Sequence, residues 1–173
     1  IVEVGQLAIH HLGRLPSAFP VVMGRFESGQ HEQIRQAIRI FKENRTRAAA
    51  ETLTTFVGSE SRDDLLVEAV EALGAIVYPP AAAVLLEHFH DGKPARLQAA
   101  LGAALGAMGT EEASLGLLAK APGMKLPGVL ILCLEGLLHA FRGFDHPVPE
   151  EALPGLDQLL QRCLDDREGE GIQ

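Results

Sequence analysis

Apolar, helix-like segments recur along this chain about every 32 residues. Each of four such segments carries an anchor dipeptide, and successive anchors are 32 residues apart: Phe41-Lys42, Leu73-Gly74, Leu105-Gly106 and Leu137-Leu138. Leu12-Gly13 precedes the first of these by 29 residues. After each anchor, a short break leads to a second apolar helix. A period of this size is typical of stacked helix pairs, which bury their apolar sides against neighbouring pairs.

The composition favours helices that pack closely together. Of the 173 residues, 47 % are apolar, 22 % are charged and 5 % are aromatic. Ala and Leu, which are abundant here, are strong helix formers. The net charge of −8 opposes sequence-independent binding to phosphate backbones and to anionic membranes. No apolar run reaches the length of about 18 residues that indicates a membrane-spanning helix.

The breaks divide residues 1–164 into one domain of about five helix pairs. Gly and Pro residues mark the helix ends, and Ser17, Ser61 and Thr110 are predicted caps at helix starts. The predicted units cover residues 4–29, 31–58, 61–92, 93–123 and 126–164. Residues 165–173 are polar and contain Gly, so we expect them to form a flexible tail.

The third and fourth units carry a family resemblance. Their sequences are AVEALGAIVYPPAAAVLLEHFHDG and ALGAALGAMGTEEASLGLLAKAPG. This pattern resembles HEAT repeats, in particular the short bacterial kind found in phycobilin-lyase-like proteins. The resemblance implies an all-α, right-handed α-α superhelix, or solenoid. Armadillo repeats have longer units, and the Trp-containing signature of tetratricopeptide repeats is missing.

The same resemblance implies a binding surface. In HEAT-like arrays, the second helix of each pair lines the concave face, where a protein or peptide partner binds. Polar residues at such positions in the second, third and fourth units are the predicted partner contacts: Arg47, Glu51, Thr54, Thr55, Glu87, His88 and Lys120.

Two charged stripes lie on neighbouring first helices. Basic side chains occupy positions i, i+4 and i+7 of one helix, and acidic side chains occupy the same positions of the next: Arg35, Arg39 and Lys42, then Asp64, Glu68 and Glu71. One interpretation is ion pairing between units on a solvated face. The other is a basic patch for an acidic partner, which would also include Arg45.

The reactive side chains of the sequence do not form a recognisable catalytic or metal site. The His and carboxylate residues at 87–91 point in different directions at a helix end. His31-Glu32 resembles the His-Glu motifs of deoxyhypusine hydroxylase, but that family uses several such pairs. Cys133 and Cys163 lie in apolar helical contexts and are predicted to be reduced core residues. We therefore expect no catalytic residue, no metal and no cofactor.

The expected function is a non-enzymatic scaffold or adaptor that acts in the cytoplasm of a bacterium. The alternatives are a chromophore (phycobilin) lyase-type subunit and, with less support, a HEAT-like nucleic-acid-binding protein. The first residues, IVEVGQ, lack an initiator Met and a signal peptide, which suggests a processed product or a fragment. The apolar first helix needs a neighbour, so we expect further repeats or a homo-oligomer contact at the N-terminus.

Overall fold

The regular structure of this chain is helical throughout the residues that the computed structural model describes, which are 18–124, 133–137, 150 and 153–170. The all-α prediction is confirmed for those residues. The helices are α1 Phe19–Glu27, α2 His31–Asn44, α3 Arg47–Ser59, α4 Asp63–Ile76, α5 Ala82–His88, α6 Ala95–Met108, α7 Glu111–Lys120 and α8 Leu153–Glu170. Residues 133–137 are also helical.

The helices pack in two rows. Helix α4 packs between α2 and α6 in a first row, and α5 contacts both α3 and α7 in a second row. Neighbours within the first row run parallel, because Arg35 contacts Asp64 and Lys42 contacts Glu71 with the same offset of 29 residues. The alternation along the chain therefore places the first helix of each unit in one row and the second helix in the other.

Apolar side chains between the rows form a continuous core. Helix α2 buries five apolar side chains on the side that the amphipathic pattern predicts, among them Ile34, Ile38 and Phe41. The rings of Phe26 and Phe41 lie 5.6 Å apart, and those of Phe26 and Phe56 lie 4.9 Å apart. This aromatic group joins α1 to both α2 and α3. Its edge and tilted ring contacts add to the stabilisation that comes from burying apolar area.

Glycine allows the first-row helices to approach closely. A Cβ atom at Gly74 of α4 would lie 3.0 Å from the Cα atom of Ala104 in α6. A Cβ atom at Gly106 would lie 2.8 Å from the carbonyl carbon of Gly136, in the helical segment 133–137. A Cβ atom does not fit at Gly106, and one at Gly74 would require Ala104 to shift by a few tenths of an ångström, so both interfaces use the missing side chain.

The predicted cap is correct at the start of α7 and wrong at the start of α4. The hydroxyl of Thr110 accepts a hydrogen bond from Ala113 N at 3.2 Å, which confirms it as the cap of α7. Ser61 is not the cap of α4, because the helix begins two residues later, after Arg62. The Glu60 carboxylate instead accepts hydrogen bonds from the backbone N–H groups of Ser61 and Arg62, both at 2.8 Å.

The C-terminal helix is longer than the sequence predicts. Helix α8 continues through Glu170, although we expected a flexible tail from residue 165. No Pro or Gly occurs between Leu156 and Glu168, so no residue there interrupts the helix, and Gln161 donates a hydrogen bond to Asp165 one turn later. Most of the fifth predicted unit and the first helix of unit one lie outside the described residues.

Replacing Gly106 by Ala should destabilise the protein. The added methyl group meets backbone atoms of Gly136, which cannot rotate away, and the expected cost of about 1–3 kcal/mol exceeds the gain in helix propensity. Gly24→Ala is the matched control, because no atom lies within 4 Å of its Cβ position in α1. It should stabilise by about 0.5–1 kcal/mol. Urea denaturation measures both changes; a Gly106→Ala variant as stable as wild type would contradict the close approach.

The Glu60 carboxylate should make stability depend on acid pH. A bidentate hydrogen bond from the Arg62 guanidinium (2.6 and 3.0 Å), with the two backbone donors, lowers the pKa of Glu60 from 4.5 to about 2. Its contribution is therefore complete above pH 4.5 and is lost as the pH falls towards 2. Glu60→Gln should cost about 1–3 kcal/mol at pH 7.

Thermal unfolding of wild type and Glu60→Gln between pH 2 and pH 7 measures this difference, with Glu27→Gln at an exposed carboxylate as the control. The difference in melting temperature between the wild type and Glu60→Gln should narrow below pH 4.5. A difference in melting temperature that stays constant over this range would show that the Glu60 charge does not stabilise the start of α4.

Candidate functional site

The two charged stripes face each other across α2 and α4, and we call their six residues the ionic surface. Three pairs share the offset of 29 residues: Arg35 Nη2–Asp64 Oδ2 at 3.1 Å, Arg39 Nε–Glu68 Oε2 at 3.8 Å, and Lys42 Nζ–Glu71 Oε2 at 4.0 Å. The predicted ion pairing between units is confirmed. The parallel packing of α2 and α4 produces it, since each basic position meets the acidic position at the same height.

Arg35 is the most strongly engaged cation of the ionic surface. Its guanidinium contacts Asp64, and its Nε atom lies 2.7 Å from Glu68 Oε1. The side chain is 28 % exposed, whereas that of Arg39 is 59 % exposed. Arg35 therefore acts as a link between the two helices, and the outer cations remain open to solvent.

His31 completes this network at the start of α2. Its Nε2 atom lies 2.6 Å from Asp64 Oδ2. Burial alone would raise the pKa of Asp64, but the hydrogen bond with His31 and the charge of His31 lower it. The sequence predicts His31 only as part of a helix start, because its contact with Asp64 depends on how α2 and α4 are aligned.

A cleft of about 230 Å³ crosses the first row next to the ionic surface. Arg39 and Lys42 of α2 line one side, Glu68 and Glu71 of α4 lie between, and Arg96 of α6 lines the other side. Arg96 is exposed and forms no ion pair with any residue in the described part of the chain. Arg45, which the sequence analysis added to the basic patch, is exposed at the end of α2 and does not line the cleft.

The seven predicted partner contacts all lie on the second row. Four are on α3, two on α5 and one on α7. Arg47, Glu51, Thr55, Glu87 and Lys120 are exposed, whereas Thr54 and His88 are partly buried. The exposed members thus occur on three helices that pack side by side, and we call the outer side of α3, α5 and α7 the second-row face.

Several polar groups of the second-row face already have partners. Arg47 Nε donates to Glu51 Oε1 at 2.7 Å, and this contact raises the pKa of Arg47. The hydroxyls of Thr54 and Thr55 donate to carbonyls of their own helix at 2.8 and 3.1 Å. The ammonium group of Lys120 donates to the carbonyl of Leu86, at the end of α5. These contacts hold the side chains against the helices.

His88 and His90 do not converge on a common point. Burial lowers the pKa of His88, whereas His90 is exposed and its Nδ1 atom accepts a hydrogen bond from Gly92 N at 3.2 Å. Within the residues described here, no group of three or more His, Cys, Asp or Glu side chains is arranged to hold a metal ion.

The two cysteines lie in neighbouring parts of the structure, with Cys133 in the core and Cys163 partly buried against it. Cys133 is fully buried, and burial, with the nearby Cys163, raises its pKa to about 12. A thiol with so high a pKa is a weak nucleophile at neutral pH.

No family model, no curated protein and no solved structure matches this chain. None of the helices that the structure describes has the length and apolar character needed to cross a membrane.

A double-mutant cycle should detect the link between Arg35 and Glu68. Both side chains are mostly shielded from solvent, so the coupling between Arg35→Ala and Glu68→Ala should be about 1 kcal/mol. It should decrease in 1 M NaCl, because salt screens partly exposed pairs. Urea denaturation gives the four stabilities. The control cycle uses Arg47 and Glu51, which are 83 % and 51 % exposed and should couple more weakly; equal coupling in the two cycles would contradict the special position of Arg35.

Proposed function

We propose that this protein is a non-enzymatic scaffold that binds a protein or peptide partner along its second-row face. The observation that carries the proposal is the side-by-side packing of α3, α5 and α7 with their polar sides outward. In this proposal, the helix pairs form a HEAT-like right-handed superhelix of about five units, and the second-row face is its concave side. Extended concave surfaces are what such arrays use for binding.

The shape of the second-row face supports a partner in close contact. Apart from the charged residues, the exposed side chains of this face are short. They include Ala48 and Thr55 on α3, Ala83 on α5 and Ala119 on α7. Short side chains lose little conformational freedom when they are covered, so a partner backbone can lie against them at low entropic cost. Such a surface favours an extended segment or a helix of the partner.

The charges of the second-row face support a basic partner segment. Arg47 is paired with Glu51, and the ammonium group of Lys120 is held by a backbone carbonyl. Glu87, Glu111 and Glu112 are exposed and form no ion pair with the described residues. The face therefore presents uncompensated negative charge, which attracts lysine and arginine side chains and speeds association at low salt.

Charge reversal tests the proposal. The variant Glu87→Lys with Glu112→Lys changes two uncompensated carboxylates of the second-row face, on α5 and α7. Glu27→Lys with Asp157→Lys is the matched control, since it changes the net charge equally at exposed carboxylates of α1 and α8. Each protein is used to capture partners from the source cell, and the affinity of a captured partner is then measured by calorimetry.

The expected result is at least a tenfold loss of affinity in the second-row variant and less than a twofold change in the control. Melting temperatures within about 2 °C of wild type would show that both variants remain folded. A partner that binds the second-row variant as tightly as wild type would exclude this face as its binding surface. Substrate turnover by the native chain in the captured complex would exclude a purely non-enzymatic role.

A further inference from the structure

We propose that the cleft across the first row is a second binding site, for an acidic peptide segment of a partner protein. Its ligand-binding groups are the guanidinium groups of Arg39 and Arg96, which line the cleft from α2 and α6 with α4 between them. This site lies on the ionic side of the molecule, so it is separate from the second-row face and does not depend on the function proposed for that face.

The cations of the cleft are not fully compensated. Glu68 is engaged by Arg35 at 2.7 Å, and Arg39 reaches the same carboxylate at 3.8 Å. Glu71 lies 4.0 Å from Lys42, which leaves Arg96 without a carboxylate in the described part of the chain. Two exposed guanidinium groups therefore share one cleft, and each can bind an added carboxylate bidentately.

The size of the cleft indicates a side-chain ligand. Its volume of about 230 Å³ lies below the range of about 300–1,000 Å³ that is common for small-molecule pockets. One or two side chains of a larger partner fit such a space. The rest of the partner would lie across the row.

The carboxylates of the cleft favour a peptide over a nucleic acid. A phosphate backbone carries negative charge at regular intervals, and it would meet Glu68 and Glu71 as well as the two Arg side chains. A peptide can place its acidic residues opposite Arg39 and Arg96 and put a backbone N–H group or a basic residue opposite Glu71. The complementary segment therefore has two acidic residues that flank a neutral or basic one.

Fluorescence anisotropy with labelled 12-residue peptides tests this site on the full chain. The acidic peptide carries spaced Glu residues around one Lys, the charge-reversed peptide carries Lys around one Glu, and a short DNA duplex is the third ligand. The test variant is Arg39→Gln with Arg96→Gln. The control variant is Arg25→Gln with Arg45→Gln, which changes the net charge equally at exposed positions outside the cleft.

We expect the native chain to bind the acidic peptide in 50 mM salt and to bind the other two ligands at least tenfold more weakly. The test variant should lose at least fivefold in affinity, and the control variant less than twofold. Arg39→Lys with Arg96→Lys keeps both charges but not the planar guanidinium groups, so its affinity for the acidic peptide should lie between those of the test and control variants. Circular dichroism verifies that each variant is folded.

Three results would overturn the proposal. The first is the absence of measurable binding to the acidic peptide at low salt. The second is an equal loss of affinity in the test and control variants, which would reduce the effect to overall charge. The third is tighter binding of the DNA duplex than of the acidic peptide, which would assign the cleft to nucleic acid.

Discussion

The close approach of the first-row helices determines much of this structure. Gly106 meets Gly136 at distances that leave no room for a further carbon atom, and Gly74 meets Ala104 almost as closely. Helices without side chains at their contact points can bring their backbones together and gain dispersion contacts along their whole length. The glycines also limit how one helix can shift along the next, because any shift would bring a Cβ atom against the neighbouring backbone.

The alignment of α2 with α4 decides the electrostatics of the ionic surface. A constant offset of 29 residues places each basic position of α2 opposite an acidic position of α4. A shift of one helical turn would pair Arg39 with Asp64 and leave Arg35 without that carboxylate. Each ion pair contributes little free energy in water. The pairs therefore favour the same alignment as the packing does, but they are too weak to set it alone.

The two rows differ in how their charges are compensated. In the first row, the three cations of α2 each face a carboxylate of α4, whereas Arg96 of α6, which lines the cleft, forms no ion pair with the described residues. In the second row, Glu87, Glu111 and Glu112 have no ion-pair partner within the described residues, and the cation of α7 is bound to a backbone carbonyl. One small chain therefore presents a locally basic cleft and an acidic face on different sides.

Much of the helical organisation followed from local patterns. The spacing of Ile34, Ile38 and Phe41 predicted the buried side of α2, and the Gly109-Thr110 pair predicted the start of α7, because both depend on interactions within one or two helical turns. Ser61 failed as a cap for a similar local reason: the Glu60 carboxylate accepts hydrogen bonds from the N–H groups of Ser61 and Arg62 and from the Arg62 guanidinium, and the helix begins only after Arg62.

The sequence by itself determined the helices and their apolar sides, the alternation of first and second helices, and the matched spacing of the charged stripes. The tertiary structure decided which stripe positions meet, how His31 reaches Asp64, why Lys120 is held at the end of α5, and which cations share the cleft. These contacts join residues about 30 positions apart. They depend on the offset between packed helices, which the packing of one helix against the next sets and which local periodicity leaves free.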